Sequence, residues 1–230
     1  MADLTISRGD ARAFYTTAGV ILDRAERTEG RAKAAALTAL AAAPGETILH
    51  VGVGTGLEHA AILRTVTPGG TLIGFDLTRR MLELTRLRAD TPLCEGDATR
   101  LPFAGARFDG IFSAYTLDLI PGDEIPLVLA EFRRALRPGG RLVLTSLTAG
   151  VDLPSRLFIA WWKLVYRIDP RRLGGCRPLR LSDALHLAGF SVERQVIVQG
   201  GFPSEVLRCK LAHDAPPGSD FDVTMGRAKR

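Results

Sequence analysis

The sequence predicts an α/β protein built on one seven-stranded, mostly parallel sheet, with helices on both faces and an antiparallel closing strand at one edge. Three observations lead there. Short apolar runs alternate with helix-like segments between residues 47 and 147, the first run ends in His50-Val51-Gly52-Val53-Gly54-Thr55-Gly56, and two late apolar runs are separated by Gly200-Gly201. Alternation of this kind requires crossover connections, which place helices on both faces of a parallel sheet. A chain of 230 residues is long enough for one sizeable core of this type.

Taken in order, the segment from about Ala11 to Ala43 is helix-rich, and its alanine-dense stretch Ala32–Ala43 stops at Pro44-Gly45, where proline and glycine end a helix and open a turn. Strands are expected near 47–52, 71–76, 92–96, 108–113 and 141–147, with helices near 57–66, 79–89 and 124–136. Pro68-Gly69-Gly70 and Pro138-Gly139-Gly140 each end a helix and turn the chain into a strand. Beyond Ser146, Leu153, Leu157, Ala160, Trp161, Leu164 and Val165 recur at helical spacing and give one apolar face, which Phe158 and Trp162 widen. That helix either buries its face against the core or forms a lid whose aromatics line a pocket or touch a membrane surface. A loop at 174–178, a short helix at 182–188 and strands near 190–198 and 205–212 complete the sheet, Gly200-Gly201 suggesting a hairpin. The implied organisation is a helical cap over 1–45, a ligand-binding core over 46–150, a helical lid over 151–180, the rest of the sheet over 181–213 and a basic tail over 214–230.

Composition narrows the function classes. The three cysteines are far apart and the four histidines have no acidic partner at ligand spacing, so no metal is expected, and the thiols fit a reducing, cytoplasmic setting. No apolar run reaches the ~18 residues of a membrane span, and Met1-Ala2-Asp3-Leu4-Thr5 lacks the regions of a secretory signal. The net charge of +5 is modest, but Arg167, Arg171, Arg172, Arg177 and Arg180 crowd one segment behind Lys163, a distribution suited to solvated surface or to an anionic substrate or lipid headgroup. Arg227, Lys229 and Arg230 read as a frayed tail.

The glycine run carries the chemistry. A strand that ends in alternating glycines and turns into a helix brings backbone close to a ligand, and the helix start offers free N–H groups to an anion. Asp76 ends the next apolar run, 20 positions after Gly56, where a carboxylate accepts hydrogen bonds from both ribose hydroxyls of an adenosine cofactor. The spacing here is G-x-G-x-G, whereas the dinucleotide fingerprint that must accommodate a pyrophosphate is G-x-G-x-x-G.

Four motifs occur together and in order: His50-Val51-Gly52-Val53-Gly54-Thr55-Gly56; Gly74-Phe75-Asp76-Leu77 with Met81-Leu82; Glu95-Gly96-Asp97-Ala98 with Leu101-Pro102-Phe103; and Leu136-Arg137-Pro138-Gly139-Gly140. As a set, the segment Glu46–Ser146 resembles the Rossmann-like core of class I S-adenosylmethionine-dependent methyltransferases, and is most similar to the branch that includes quinone-biosynthesis and phospholipid N-methyltransferases. The resemblance implies S-adenosyl-L-methionine as cofactor, held by Gly52, Val53, Gly54, Thr55 and Gly56 at its methionine carboxylate and by Asp76 at the ribose. Asp97 would accept the adenine amino group beside the Ala98 backbone, Leu77 and Met81 would pack on the adenine faces, and Tyr15 matches a tyrosine that often covers the cofactor in this branch. Many relatives carry Glu or Asp at the position of His50, where the carboxylate helps order the cofactor's ammonium end. An imidazole does this weakly, so either another acidic group substitutes or binding is looser.

Phe108–Tyr115 ends a strand at its carboxyl end, where open α/β sheets bind ligands, so Ser113 and Tyr115 are expected to face the reactive centre, with Asp118 as the nearest carboxylate base. The chain lacks the Asn/Asp-Pro-Pro-aromatic run of enzymes that methylate nucleic-acid bases, and the paired glutamates of arginine methyltransferases. The expectation is therefore methyl transfer to a small or lipid-like acceptor, a quinone precursor or a phospholipid amine, with no nucleic-acid partner, transient contact with a membrane surface, and the oligomeric state open. Two alternatives are a nicotinamide-dependent oxidoreductase, disfavoured by the glycine spacing and Asp97, and a non-catalytic cofactor-binding module, supported only by His50.

Overall fold

In a computed structural model the described residues are 7–18 and 26–212; the expected basic tail lies outside them. Helices α1 (Arg8–Ala18) and α2 (Glu26–Leu40) precede β1 (Thr47–Val51), α3 (Leu57–Val66), β2 (Thr71–Asp76), α4 (Arg79–Arg86), β3 (Leu93–Glu95) and β4 (Phe108–Ala114). Then follow α5 (Ile125–Ala135), β5 (Leu136–Leu147), α6 (Leu153–Ile168), α7 (Ser182–Leu187), β6 (Phe190–Gln199) and β7 (Phe202–Leu211). The seven strands form one sheet in the order β3-β2-β1-β4-β5-β7-β6. The first five are parallel, while β7 runs antiparallel to both β5 and β6. The antiparallel strand therefore lies at the expected end of the sheet, one place inside β6.

Two apolar layers sandwich the sheet. Ala32, Ala36 and Leu40 of α2 recur every fourth residue, so they share one helix face, and they pack with Ile62 and Val66 of α3 against Ile48, Phe112 and Val143. On the other face Val128, Leu129 and Phe132 of α5 and Leu185 of α7 meet Leu49, Ile111 and Leu144. Strand β5 starts five residues before the expected position. Leu136 already pairs with Phe108, the ladder slips at Pro138-Gly139-Gly140, and pairing resumes at Gly110 with Arg141. A bulge, rather than a free turn, accommodates the glycines.

Helix α6 begins with a reciprocal cap: the Ser155 N–H donates to the Asp152 carboxylate, and the Ser155 hydroxyl accepts from the Asp152 N–H. Its orientation departs from a simple buried amphipath. Ser155, Ile159 and Tyr166 are buried, and Phe158 and Trp162 pack with Phe202 and Leu147. Leu153, Leu157, Trp161 and Leu164 face outward. Periodicity shows that a face exists, and the aromatic cluster decides which side turns in.

Candidate active site

Strand order reverses between β2-β1 and β4-β5, which opens a crevice beyond the carboxyl ends of β1 and β4. A cavity lies there, walled by the β1–α3 turn, the ends of β2 and β4, the segment Gly96-Asp97-Ala98, and α1 and α2.

Asp76 organises this hollow. Its Oδ1 accepts the Thr78 N–H and hydroxyl, both at 2.9 Å, and its Oδ2 accepts the Gly54 N–H at 3.2 Å. Burial raises the carboxyl pKa, and the bonds from Thr78 and Gly54 oppose that rise. Gly54 has φ +55° and lines the cavity, and a Cβ built on it would meet nothing within 4 Å. Among the described residues, no packing of the protein against itself fills that space. Gly52 is different: its Cβ would strike the Thr116 side chain, so that glycine serves the close approach of the β4 end.

At another part of the wall, Lys33 of α2 lies 3.3 Å from Glu29 and 3.3 Å from Glu58 of α3, and all three line the cavity. His50 lines it too, stacked against His59 with ring centroids 5.4 Å apart. Burial drives the His50 pKa well below its usual value, so His50 presents a neutral ring.

Helix α1 closes one side. The Arg12 guanidinium donates to the Leu77 carbonyl at 2.9 Å and pairs with Glu95 at 2.9 Å, while Asp10 pairs with Arg171 at 3.0 Å. These ties seat Ala11 and Tyr15 in the cavity wall. Asp97 lines it as well, its Oδ1 accepting the Thr99 N–H and hydroxyl at 2.9 and 2.8 Å.

Of the residues singled out by sequence, Tyr15, Gly52, Val53, Gly54, Thr55, Asp76, Leu77, Met81, Asp97, Ala98 and Tyr115 all line this cavity. Gly56 caps the start of α3 outside the lining. Ser113 also stands outside it, buried, with a hydroxyl that has no hydrogen-bond partner among the described residues. Asp118, expected as a base, is turned away in a short 3₁₀ turn (Leu117–Leu119). Its Oδ2 accepts the Leu147 N–H at 2.8 Å and lies 3.5 Å from the Cys176 thiol, and burial holds its pKa well above the carboxylate range. Tyr115 has φ +54°, an uncommon conformation for a bulky residue, and its hydroxyl is 2.6 Å from Ser204 Oγ. Burial raises the phenol pKa, so Tyr115 keeps its proton and offers a wall and a dipole.

Sequence reasoning missed Glu29, Lys33, Glu58 and Thr78. The i,i+4 spacing of Glu29 and Lys33 was a signal for their pairing, but their approach to the glycine turn depends on how α2 lies against α3.

The residues present fit the cofactor implied by the motifs. The open space at Gly54 admits an adenosyl moiety beside a buried carboxylate, and Lys33 between two glutamates offers both signs of charge to a zwitterionic amino-acid end. Among the described residues no group of three or more His, Cys, Asp and Glu is arranged to hold a metal.

Comparison with known proteins agrees. Residues 49–144 match the family described as a methyltransferase domain. The demethylmenaquinone methyltransferase of Beutenbergia cavernae is 40% identical over 115 residues, covering 49% of this chain and 45% of that protein. The malonyl-[acyl-carrier protein] O-methyltransferase of Herminiimonas arsenicoxydans is 33% identical over 155 residues, covering 66% and 55%. The chain thus spans about half the length of these curated relatives. A crystal structure of an S-adenosylmethionine-dependent methyltransferase from Aquifex aeolicus superposes with a TM-score of 0.57 at 16% identity, covering 90% of this chain and all (100%) of that one, a likeness of fold. Residues 49–144 thus carry a methyltransferase domain, the fold is the one shared with S-adenosyl-L-methionine-dependent methyltransferases, and both imply S-adenosyl-L-methionine as cofactor.

Proposed function

We propose that this chain transfers a methyl group from S-adenosyl-L-methionine to a small or lipid-like acceptor, a quinone precursor or a phospholipid amine. The observation that carries the reading is the juxtaposition of Asp76, the open-faced Gly54 and the Glu29–Lys33–Glu58 triad around one cavity. Asp76 would accept the ribose hydroxyls, Asp97 and Ala98 would meet the adenine edge, and Lys33 would face the carboxylate of the methionine end. Glu29 and Glu58 would take the ammonium, a role that a neutral His50 ring fills only weakly.

The bound cofactor supplies an electrophilic methyl on a sulfonium, and the chain's own residues do the rest. Alignment of donor and acceptor supplies on the order of 7–11 kcal/mol when the nucleophile is already an amine, enolate or phenolate. Tyr115 and Leu119-Ile120-Pro121, which also line the cavity, exclude water from that line. Asp118 stays apart, so no carboxylate base is assigned. The relative names favour a small or carrier-bound acceptor.

Two measurements test the reading. Calorimetry should show one site for S-adenosylhomocysteine and none for NADH; the reverse would make the chain a nicotinamide-dependent protein. Mass spectrometry of a cell extract incubated with the protein and isotopically labelled donor should then find label in an acceptor, and its partition into organic solvent decides between lipid-like and water-soluble molecules. Stoichiometric cofactor binding with label in nothing would leave a binding module without catalysis.

A further inference from the structure

The geometry points to α6 as a peripheral docking helix for an anionic lipid surface. Five of its large apolar side chains stand in solvent: Leu153 is 70% exposed, Leu157 63%, Trp161 53%, Leu164 59% and Ile168 70%. At ~100° per residue these five fall within about an 80° arc, so they form one continuous stripe. Single exposed apolar residues are ordinary, whereas a contiguous stripe marks an interaction surface. The stripe is not a spare core face. The helix is already held by Ile159, Phe158 and Trp162 against Phe202, and by the Trp162 indole donating to the Cys176 carbonyl at 2.9 Å.

Charge selects the occupant. Between residues 153 and 168 every charged side chain is basic: Arg156, Lys163 and Arg167. All three are exposed and, by the same helical geometry, lie along one edge of the stripe. The carboxylates at the helix ends are committed, Asp152 to the Ser155 N–H and Asp169 to the Arg171 N–H and the Arg172 guanidinium. An apolar face with Trp and Leu, flanked by Lys and Arg, is the composition that seats a helix at the headgroup level of an anionic bilayer. No helix among the described residues is long and apolar enough to cross a membrane, so the contact is superficial. A second copy of the chain laid along the same stripe would place cationic edges near one another without a carboxylate inside the helix to offset them.

Behind the helix, Phe158 and Trp162 contact Phe202 at ring-centroid distances of 5.7 Å, and Phe202 meets Tyr115 of the cavity wall at 6.1 Å. One aromatic layer therefore separates the docking helix from the cavity. The proposal concerns where the chain binds, and it stands whether or not the methyl acceptor is a lipid.

The test is co-sedimentation of the full chain with vesicles of phosphatidylcholine alone and with phosphatidylglycerol added, at low and high salt, with Trp fluorescence as a second reading. Binding is expected only to the anionic vesicles, weakened by salt, with a blue shift of the emission. Lys163→Gln and Arg167→Gln should each lower the partition coefficient about fivefold, and Leu157→Asp with Leu164→Asp should abolish it. Thermal melting and S-adenosylhomocysteine calorimetry on the same variants confirm that each folds and keeps its cavity, so loss of docking is distinguished from loss of the cofactor site. Equal binding to both vesicle types, or to neither, overturns the proposal. So does a dimer in solution that Leu157→Asp dissociates while vesicles capture nothing, which would assign the stripe to a second copy.

Discussion

At the residue scale, Asp76 holds the β1–α3 turn in place by accepting the Gly54 N–H and still faces the cavity. Replacing it removes both the proposed ribose acceptor and the anchor. Asp76→Ala should weaken S-adenosylhomocysteine binding by about 1.5–3 kcal/mol with the fold retained, and unchanged affinity by calorimetry would show that the ribose contact lies elsewhere. Tyr115 is assigned a wall rather than a proton-transfer role. A general base contributes ~10²–10⁴-fold, so Tyr115→Phe should cost far less than that in kcat, while a loss of that size would restore the phenol as a reactant. His59 gives a pH signature. Burial lowers its pKa to about 4, from the ordinary 6.5, so the folded state holds a neutral ring and the unfolded chain takes up the proton first. Its contribution is complete above pH 6.5 and is lost as pH falls toward about 4, on the order of 3 kcal/mol in all. Urea melts across that window should show a shallower fall for His59→Gln than for the parent chain; equal slopes would assign the titration to another group. Ser113 and Asp118 show where residue-level reading ran out. Strand alternation puts Ser113 on the same side as Ile111, toward α5, and the 3₁₀ turn directs Asp118 inward, and neither is encoded in spacing from a motif.

Elements were more legible than their margins. Strand β1, helix α3 and strand β2 follow directly from apolar runs punctuated by glycine, proline and a terminal carboxylate, because those residues act locally. The start of β5 did not, since Leu136 joins the ladder only once Phe108 lies beside it. The outward face of α6 likewise depends on the cluster Phe158–Trp162–Phe202. The β6–β7 hairpin carries a buried charge that composition could not reveal. Glu205 on β7 is fully buried and pairs with Arg194 of β6 at 2.8 Å, and its oxygens also receive the Ser146 and Thr148 hydroxyls, each at 3.2 Å. Arg194 is itself partly exposed, which tempers the loss, so Arg194→Ala should destabilise the chain by roughly 2–3 kcal/mol, at or below the ~3–5 kcal/mol cost of stranding one partner of a fully buried pair. Chemical denaturation would measure it, and a value near zero would mean that the two hydroxyls and the Leu181 N–H satisfy the carboxylate without Arg194.

For the whole molecule, the cavity joins helices and strands drawn from residues 11 to 124, so a ligand seated there stabilises the fold as a unit. At a hundredfold excess over its dissociation constant, S-adenosylhomocysteine should add about 2.7 kcal/mol, which for a chain of this size raises Tm by roughly 5–10 °C. NADH should leave Tm unchanged. A thermal scan in which NADH alone protects would contradict the assigned cofactor.

The insertion of β7 between β5 and β6 has a consequence for biosynthesis. A ribosome that has released only the first five strands leaves β5 with an unpatched row of amides and carbonyls, and the segment that covers it, residues 202–211, is translated after everything else in the sheet. Until then the nascent chain offers a template to any extended polypeptide nearby. Truncation ahead of Phe202 would make that exposure permanent and yield insoluble material rather than a smaller working domain.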